Sequence, residues 1–351
     1  MEKSITYHEQ VNIDNVLKLR EVLKTLPPFA KDYFRAIEPT TSTRTRISYA
    51  YDIRIFFQFL LSENPSLKNR KMQDLTVDVL DQLEAFDIEE YQEYLKVYSN
   101  DDKTLTNGER GLKRKMSALR SFYAYYYKRE MIRTNPTLLV DMPKLHDKEI
   151  VRLDADETAE LLDYIEHCGD QLTGQKKIYY EKTKYRDLAI VTLLLGTGIR
   201  VSECVGLDVN DIDFKNGGIR VVRKGGSEMM VYFGEEVEKA LLDYLEIRAS
   251  ITPVAGHENA LFYSTQRRRI GVQAVENMVK KYAREVTTTK KITPHKLRST
   301  YGTALYKETG DIYLVADVLG HKDVNTTRKH YAAMEDERRR RAAGAVKLRE
   351  S

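Results

Sequence analysis

Between positions 42 and 62, apolar side chains recur at helical spacing: Ile47, Tyr51, Ile55, Phe59 and Leu60. Ser42 and Thr43 precede them as cap candidates. The same spacing predicts helices over 78–86, 88–98 and 106–129. The last carries Leu112, Met116, Leu119, Tyr123 and Tyr126 on one side, and Arg110, Lys113, Arg114, Lys115, Arg120, Lys128 and Arg129 on the other. Asn135-Pro136 ends it, and the polar, proline-marked stretch 142–148 reads as a linker. The chain therefore divides into a helical domain over 1–145 and a second domain over 150–351.

The second domain opens on a helix over 155–168, with Asp154 as its cap candidate, and a strongly apolar helix over 186–195 that Gly196-Thr197-Gly198 terminates. The segment 169–184 between them reads as a long connection. From 211 to 233 the period drops to that of strands. Ile212 with Phe214, then Ile219 with Val221 and Val222, then 229–233 make three, joined by Asn216-Gly217-Gly218 and Gly225-Gly226-Ser227. Helices follow over 235–248, 272–285 and 334–348, the last holding the basic run Arg338 to Arg341. The expected fold is mostly α with a small three-stranded antiparallel sheet.

With 351 residues and 42% hydrophobic content the chain can build two cores. A formal net charge of +4 does not establish a nucleic-acid partner, so charge distribution has to decide. Two cysteines, Cys168 and Cys204, imply a reducing compartment. The polar start over 1–10 is unlike a secretory signal, and the longest apolar stretch, 188–195, is too short to cross a bilayer. The reading is cytoplasmic, with no membrane partner.

Several residues in the second domain suit phosphoryl transfer. Arg200 follows the apolar helix, Lys224 sits at the hairpin tip, and His295 and Arg298 lie one helical turn apart behind Pro294 at a first helical position and Thr293 as cap. Leu319-Gly320-His321 comes next, then Tyr331. Each alone is ordinary: a lone arginine is usually a surface or ion-pair residue, and Tyr331 is one of 23 tyrosines.

In this order, Gly196-Thr197-Gly198-Ile199-Arg200-Val201-Ser202-Glu203, Lys224, Pro294-His295-Lys296-Leu297-Arg298, Leu319-Gly320-His321 and Tyr331 resemble the tyrosine recombinase (phage integrase) family. The resemblance covers about 150–335, and the lack of an extra arm-binding domain brings the chain near the Xer type. It implies a two-domain, C-shaped clamp around a double-stranded DNA core site. It also implies a homo-tetrameric synapse, with or without a second recombinase.

The resemblance further implies Tyr331 as a nucleophile that forms a 3′-phosphotyrosine. Arg200 and Arg298 then clamp the phosphate, and His321 adds a donor. His295 accepts the tyrosine proton or holds the phosphate, and Lys224 protonates the leaving 5′ oxygen. No cofactor or metal is expected. Glu203 is read as orienting Arg200, Tyr301 as the rival nucleophile, and His330 as a structural or backbone-contacting residue. Arg44, Arg46, Arg110, Lys113, Arg114, Lys115 and Arg120 are the DNA-binding candidates, although a solvated helix face has the same composition. The helix after Tyr331 docks on an adjacent protomer or packs on its own domain. A type IB topoisomerase and a non-catalytic DNA-binding regulator remain as alternatives. Within recombination, chromosome dimer resolution stands beside movement of a mobile element.

Overall fold

The computed structural model describes residues 6–100, 103–146, 150–223, 226–320 and 324. The chain forms two compact units, Met1–Lys148 and Glu149–Ser351.

The first unit contains α1 (Tyr7–Lys24), α2 (Ala30–Ala36), α3 (Thr43–Glu63), α4 (Asp78–Asp81), α5 (Ala85–Tyr94), the hairpin β1 (Val97–Asn100) and β2 (Lys103–Thr106), and α6 (Glu109–Lys128). Ser42 caps α3, its hydroxyl accepting the Thr45 N–H at 3.3 Å. The helices close on an aromatic core. Phe29 meets Phe57 edge-on at 5.8 Å, and Tyr33 meets Phe122 at 5.1 Å, geometries that favour the ring quadrupoles.

Two expectations need correction here. The helix predicted over 78–86 breaks after one turn. Asp81 turns its carboxylate to the backbone N–H groups of Arg133 and Thr134 at 2.7 and 3.1 Å, and a new helix starts behind Glu84, whose N–H donates to Asp87 at 2.8 Å. Val97–Asn100 and Lys103–Thr106, of which 97–98 and 106 were expected as helix ends, pair as antiparallel strands with Tyr98 opposite Leu105. Asn107 then donates to the Leu95 carbonyl at 2.7 Å, which delays α6 until Glu109.

The second unit contains α7 (Ala155–His167), α8 (Gly174–Thr197), α9 (Val201–Gly206), β3 (Ile212–Asp213), β4 (Gly218–Val222), β5 (Glu228–Tyr232), α10 (Glu235–Ala249), α11 (Val272–Val286), α12 (Pro294–Thr309) and α13 (Ile312–Leu319). The fold is mostly α with an antiparallel three-stranded sheet in the order β3-β4-β5, as the strand periodicity predicted. Ile219 and Val231 face each other on the buried side of the sheet. Buried Ala189, Ile190, Leu193 and Leu194 make α8 the central helix, packed by α7, α10 and α12.

The long connection expected over 169–184 is instead mostly helix. One 3₁₀ turn (Cys168–Gln171) precedes α8, which starts at Gly174. The Tyr180 hydroxyl donates to the Glu166 carbonyl at 2.6 Å and fastens this extension to α7. Thr293 stands at the cap position of α12 before Pro294, but its side chain makes no capping bond. Among the described residues, no helix is long and apolar enough to cross a membrane.

Candidate functional site

Two left-handed glycines bring distant helix ends together in the second unit. Gly198 closes α8 with φ +63° and Gly320 closes α13 with φ +62°. A Cβ on Gly198 would lie 2.3 Å from the Tyr301 ring and 2.9 Å from Leu319, so glycine is needed there for space as well as for conformation.

Arg298, on α12 and 5% exposed, bridges these ends. Its Nη1 donates to the Gly198 carbonyl at 2.5 Å and its Nη2 to the Leu319 carbonyl. Arg200, just ahead of α9, donates from Nη2 to the Gly320 carbonyl at 3.3 Å and from Nη1 to Glu203 Oε1 at 2.8 Å. The other Glu203 oxygen accepts the Arg200 backbone N–H at 2.8 Å. Glu203 therefore holds Arg200 from both sides, which is the orienting contact read from its one-turn spacing. Arg223, at the end of β4, donates from Nη2 to the Val318 carbonyl at 2.7 Å. Three consecutive carbonyls at the end of α13, from Val318, Leu319 and Gly320, each accept from a different arginine.

The last carbonyls of a helix lack intrahelical partners and carry the negative end of its dipole, so guanidinium groups suit them. A carbonyl is neutral and orients a guanidinium without adding a negative charge. Within this group, Glu203 pairs with Arg200. The arrangement is a concentration of positive charge suited to a phosphate.

His295 is exposed at the start of α12, while Arg298 is buried one turn on. Tyr301 is half-buried against Gly198, and burial raises its pKa above the ordinary phenol value, which weakens it as a nucleophile. Lys224, His321, His330, Tyr331 and the expected helix over 334–348 lie outside the described residues. Among the described residues, no group of three or more His, Cys, Asp or Glu is arranged to hold a metal ion.

Sequence reasoning passed over two arginines. Arg223 had a weak signal as the neighbour of Lys224. Arg269 is structural: it pairs with Asp208 and donates to the Leu207 carbonyl at 2.7 Å, fixing the segment after α9.

The basic stripe of α6 divides on inspection. Lys115 is 6% exposed and turned inward, donating to Asn107 Oδ1 at 2.9 Å with Asp52 at 3.8 Å. Arg114 pairs with the same Asp52, which is buried. Arg120 spends its guanidinium on the Thr137 carbonyl at 3.1 Å and the Val140 carbonyl at 2.5 Å, holding the chain after α6. Arg46 is also buried, paired with Glu38 at 3.0 Å. Of the expected DNA contacts, Lys115 and Arg46 thus engage partners inside the unit. Arg110, Arg114 and Arg44 are exposed, and Lys113 is partly exposed.

The chain belongs to the phage integrase family, which matches residues 151–338. It is 32% identical over 340 residues to the tyrosine recombinase XerC of Caldanaerobacter subterraneus subsp. tengcongensis, covering 93% of this chain and 88% of that protein. It is 30% identical to the tyrosine recombinase XerS of Streptococcus uberis, covering 92% of this chain and 96% of that protein. In fold it is similar to the XerH site-specific recombinase bound to a palindromic difH substrate, with a TM-score of 0.62, 19% identity and coverage of 87% and 80%. It is also similar to a lambda integrase dimer bound to a COC′ core site, with a TM-score of 0.60, 17% identity and coverage of 86% and 93%. The chain is thus a tyrosine recombinase, an enzyme of site-specific recombination.

Proposed function

We propose that this recombinase cuts and rejoins double-stranded DNA at a core site, with Tyr331 as the nucleophile. The observation that carries the reading is the trio of arginines on neutral carbonyls, one residue before His321 in the chain. A phosphate entering there meets the guanidinium groups of Arg200, oriented by Glu203, and of Arg298. Their hydrogen bonds stabilise the oxyanion charge that grows in the pentavalent transition state. His321 adds a donor, and His295 takes the phenol proton or holds the phosphate. The Tyr331 oxygen bonds to phosphorus as the bond to the 5′ oxygen breaks, and Lys224 gives that oxygen its proton. One ester replaces another, so the reverse reaction rejoins the strand without an energy source. The first unit and the exposed residues Arg44, Arg110, Lys113 and Arg114 would hold the flanking duplex.

Four protomers in the synapse, reciprocal docking by the helix over 334–348, and a chromosomal or mobile-element target complete the proposal. A nicked suicide duplex tests its centre. Wild type should form an SDS-resistant 3′ adduct and Tyr331→Phe none, with site binding retained. An adduct that persists in Tyr331→Phe and vanishes in Tyr301→Phe would move the nucleophile to Tyr301. Relaxation of supercoiled DNA lacking any specific site would favour the topoisomerase alternative.

A further inference from the structure

Arg223 has no role in the mechanism above, yet it joins two parts of the site. Its backbone N–H donates to the Ser227 carbonyl at 2.8 Å, and its carbonyl accepts the Gly226 N–H at 2.9 Å. Both bonds close the turn that contains Lys224. Its side chain crosses to the end of α13, with Nη2 on the Val318 carbonyl at 2.7 Å, a contact spanning 95 residues. The guanidinium fills the space that a side chain on Gly320 would need: a Cβ there would lie 1.3 Å from Nη1. Lys224 and Gly320 are thus each adjacent to this contact, and His321 is the next residue in the chain.

Among the described residues no carboxylate is paired with Arg223 at contact distance, and Glu203 and Asp317 favour its charge only through space. The Nε and Nη1 of Arg223 are buried with no hydrogen-bond partner among the described residues. A buried charge in that condition costs free energy, so a stem that packs only for stability would be better served by an apolar residue. Burial pulls its pKa below the usual arginine value, with Glu203 opposing the shift and Arg200 adding to it.

We infer that Arg223 is a positioning residue that fixes the turn bearing Lys224 against the end of α13, so that Lys224 and His321 reach the same phosphate. The inference rests on Lys224 as the group that protonates the leaving 5′ oxygen. Arg223 itself donates no proton and forms no bond to the reacting atoms.

A leaving group that needs no proton separates this role from others. Single-turnover adduct formation is measured on a nicked duplex with an ordinary 5′ oxygen and on one with a bridging 5′ sulfur. Arg223→Ala should slow the oxygen substrate by about 10- to 100-fold, the scale of a misplaced catalytic group, and leave site affinity unchanged. On the sulfur substrate it should approach the wild-type rate, as should Lys224→Ala. Rescue of Lys224→Ala without rescue of Arg223→Ala would overturn the inference alone and give Arg223 a direct phosphate contact. Failure to rescue Lys224→Ala would overturn the assignment of the general acid beneath it. A wild-type rate for Arg223→Ala on oxygen would also overturn the inference. Arg223→Met, which keeps the packing of the stem, answers the same question if the alanine variant unfolds.

Discussion

Lys115 in the first unit and Arg298 in the second are both buried cations on helices, 6% and 5% exposed. Their partners differ. Lys115 lies beside the Asp52 carboxylate, which Arg114 also engages. Arg298 holds the carbonyls of Gly198 and Leu319. A carboxylate offsets a cation's charge, whereas a carbonyl orients the group that carries it. The first arrangement ties a cation into the fold, and the second is the one on which the proposed phosphate site is built. Counting basic residues along a helix cannot separate the two, but their partners do.

The largest expected effect lies on the second arrangement. Arg298→Ala should reduce the rate of covalent adduct formation by about 100- to 1000-fold, the range for losing one oxyanion donor, with site binding measurable in a gel-shift titration. A loss of stability with an unaltered rate in the folded fraction would make Arg298 another Lys115. Conversely, Lys115→Met should lower the free energy of unfolding by about 1–2 kcal/mol, because Asp52 keeps Arg114 but loses a buried partner. DNA affinity of the folded protein should hold, and a marked fall would return Lys115 to the DNA-facing stripe.

The contrast also explains what could be read in advance. Arg200 and Glu203, or His295 and Arg298, lie within one short segment each, and local spacing suffices to pair or group them. Lys115 was open to the same logic: it sits three after Leu112 and four before Leu119, within the apolar stripe, but it was read with the basic face. The hairpin over 97–106 was missed because the helical apolar spacing before it continues through Tyr98, and the pairing that overrides it is a tertiary choice. Arg223 was illegible for a different reason. Its partner is 95 residues away, and nothing in the hairpin names it.

Titration gives a smaller effect in the first unit. Burial lifts the Asp52 carboxyl to about 6, against the pull of Arg114 and Lys115. The folded chain therefore holds that proton more tightly than the unfolded one. The stability so gained is full below about pH 4 and is lost as pH rises through 6. Relative to Asp52→Asn, which cannot titrate, wild type should lose about 1 kcal/mol between pH 5 and pH 6, read from urea midpoints. A constant gap, or one of opposite sign, would show that the ion pairs outweigh burial. The smallest effect belongs to an exposed cation. Arg110→Ala should make the slope of log affinity against log salt shallower by about 0.9, with cleavage of bound DNA unaltered. An unchanged slope would leave Arg110 as solvated surface.

The arginine bonds at the end of α13 also carry a consequence for how the enzyme comes into being. They span 95 residues between Arg223 and Val318 and 120 between Arg200 and Gly320, and Arg298 ties the same helix end to Gly198, 100 residues before it. Contacts so far apart in the chain close late, since each demands the loop entropy of everything between. During synthesis, Arg200 emerges from the ribosome well before its acceptor at Gly320 exists. The arginine cluster therefore cannot assemble on a partial chain, and a truncated or stalled product carries the arginines without the means to align them.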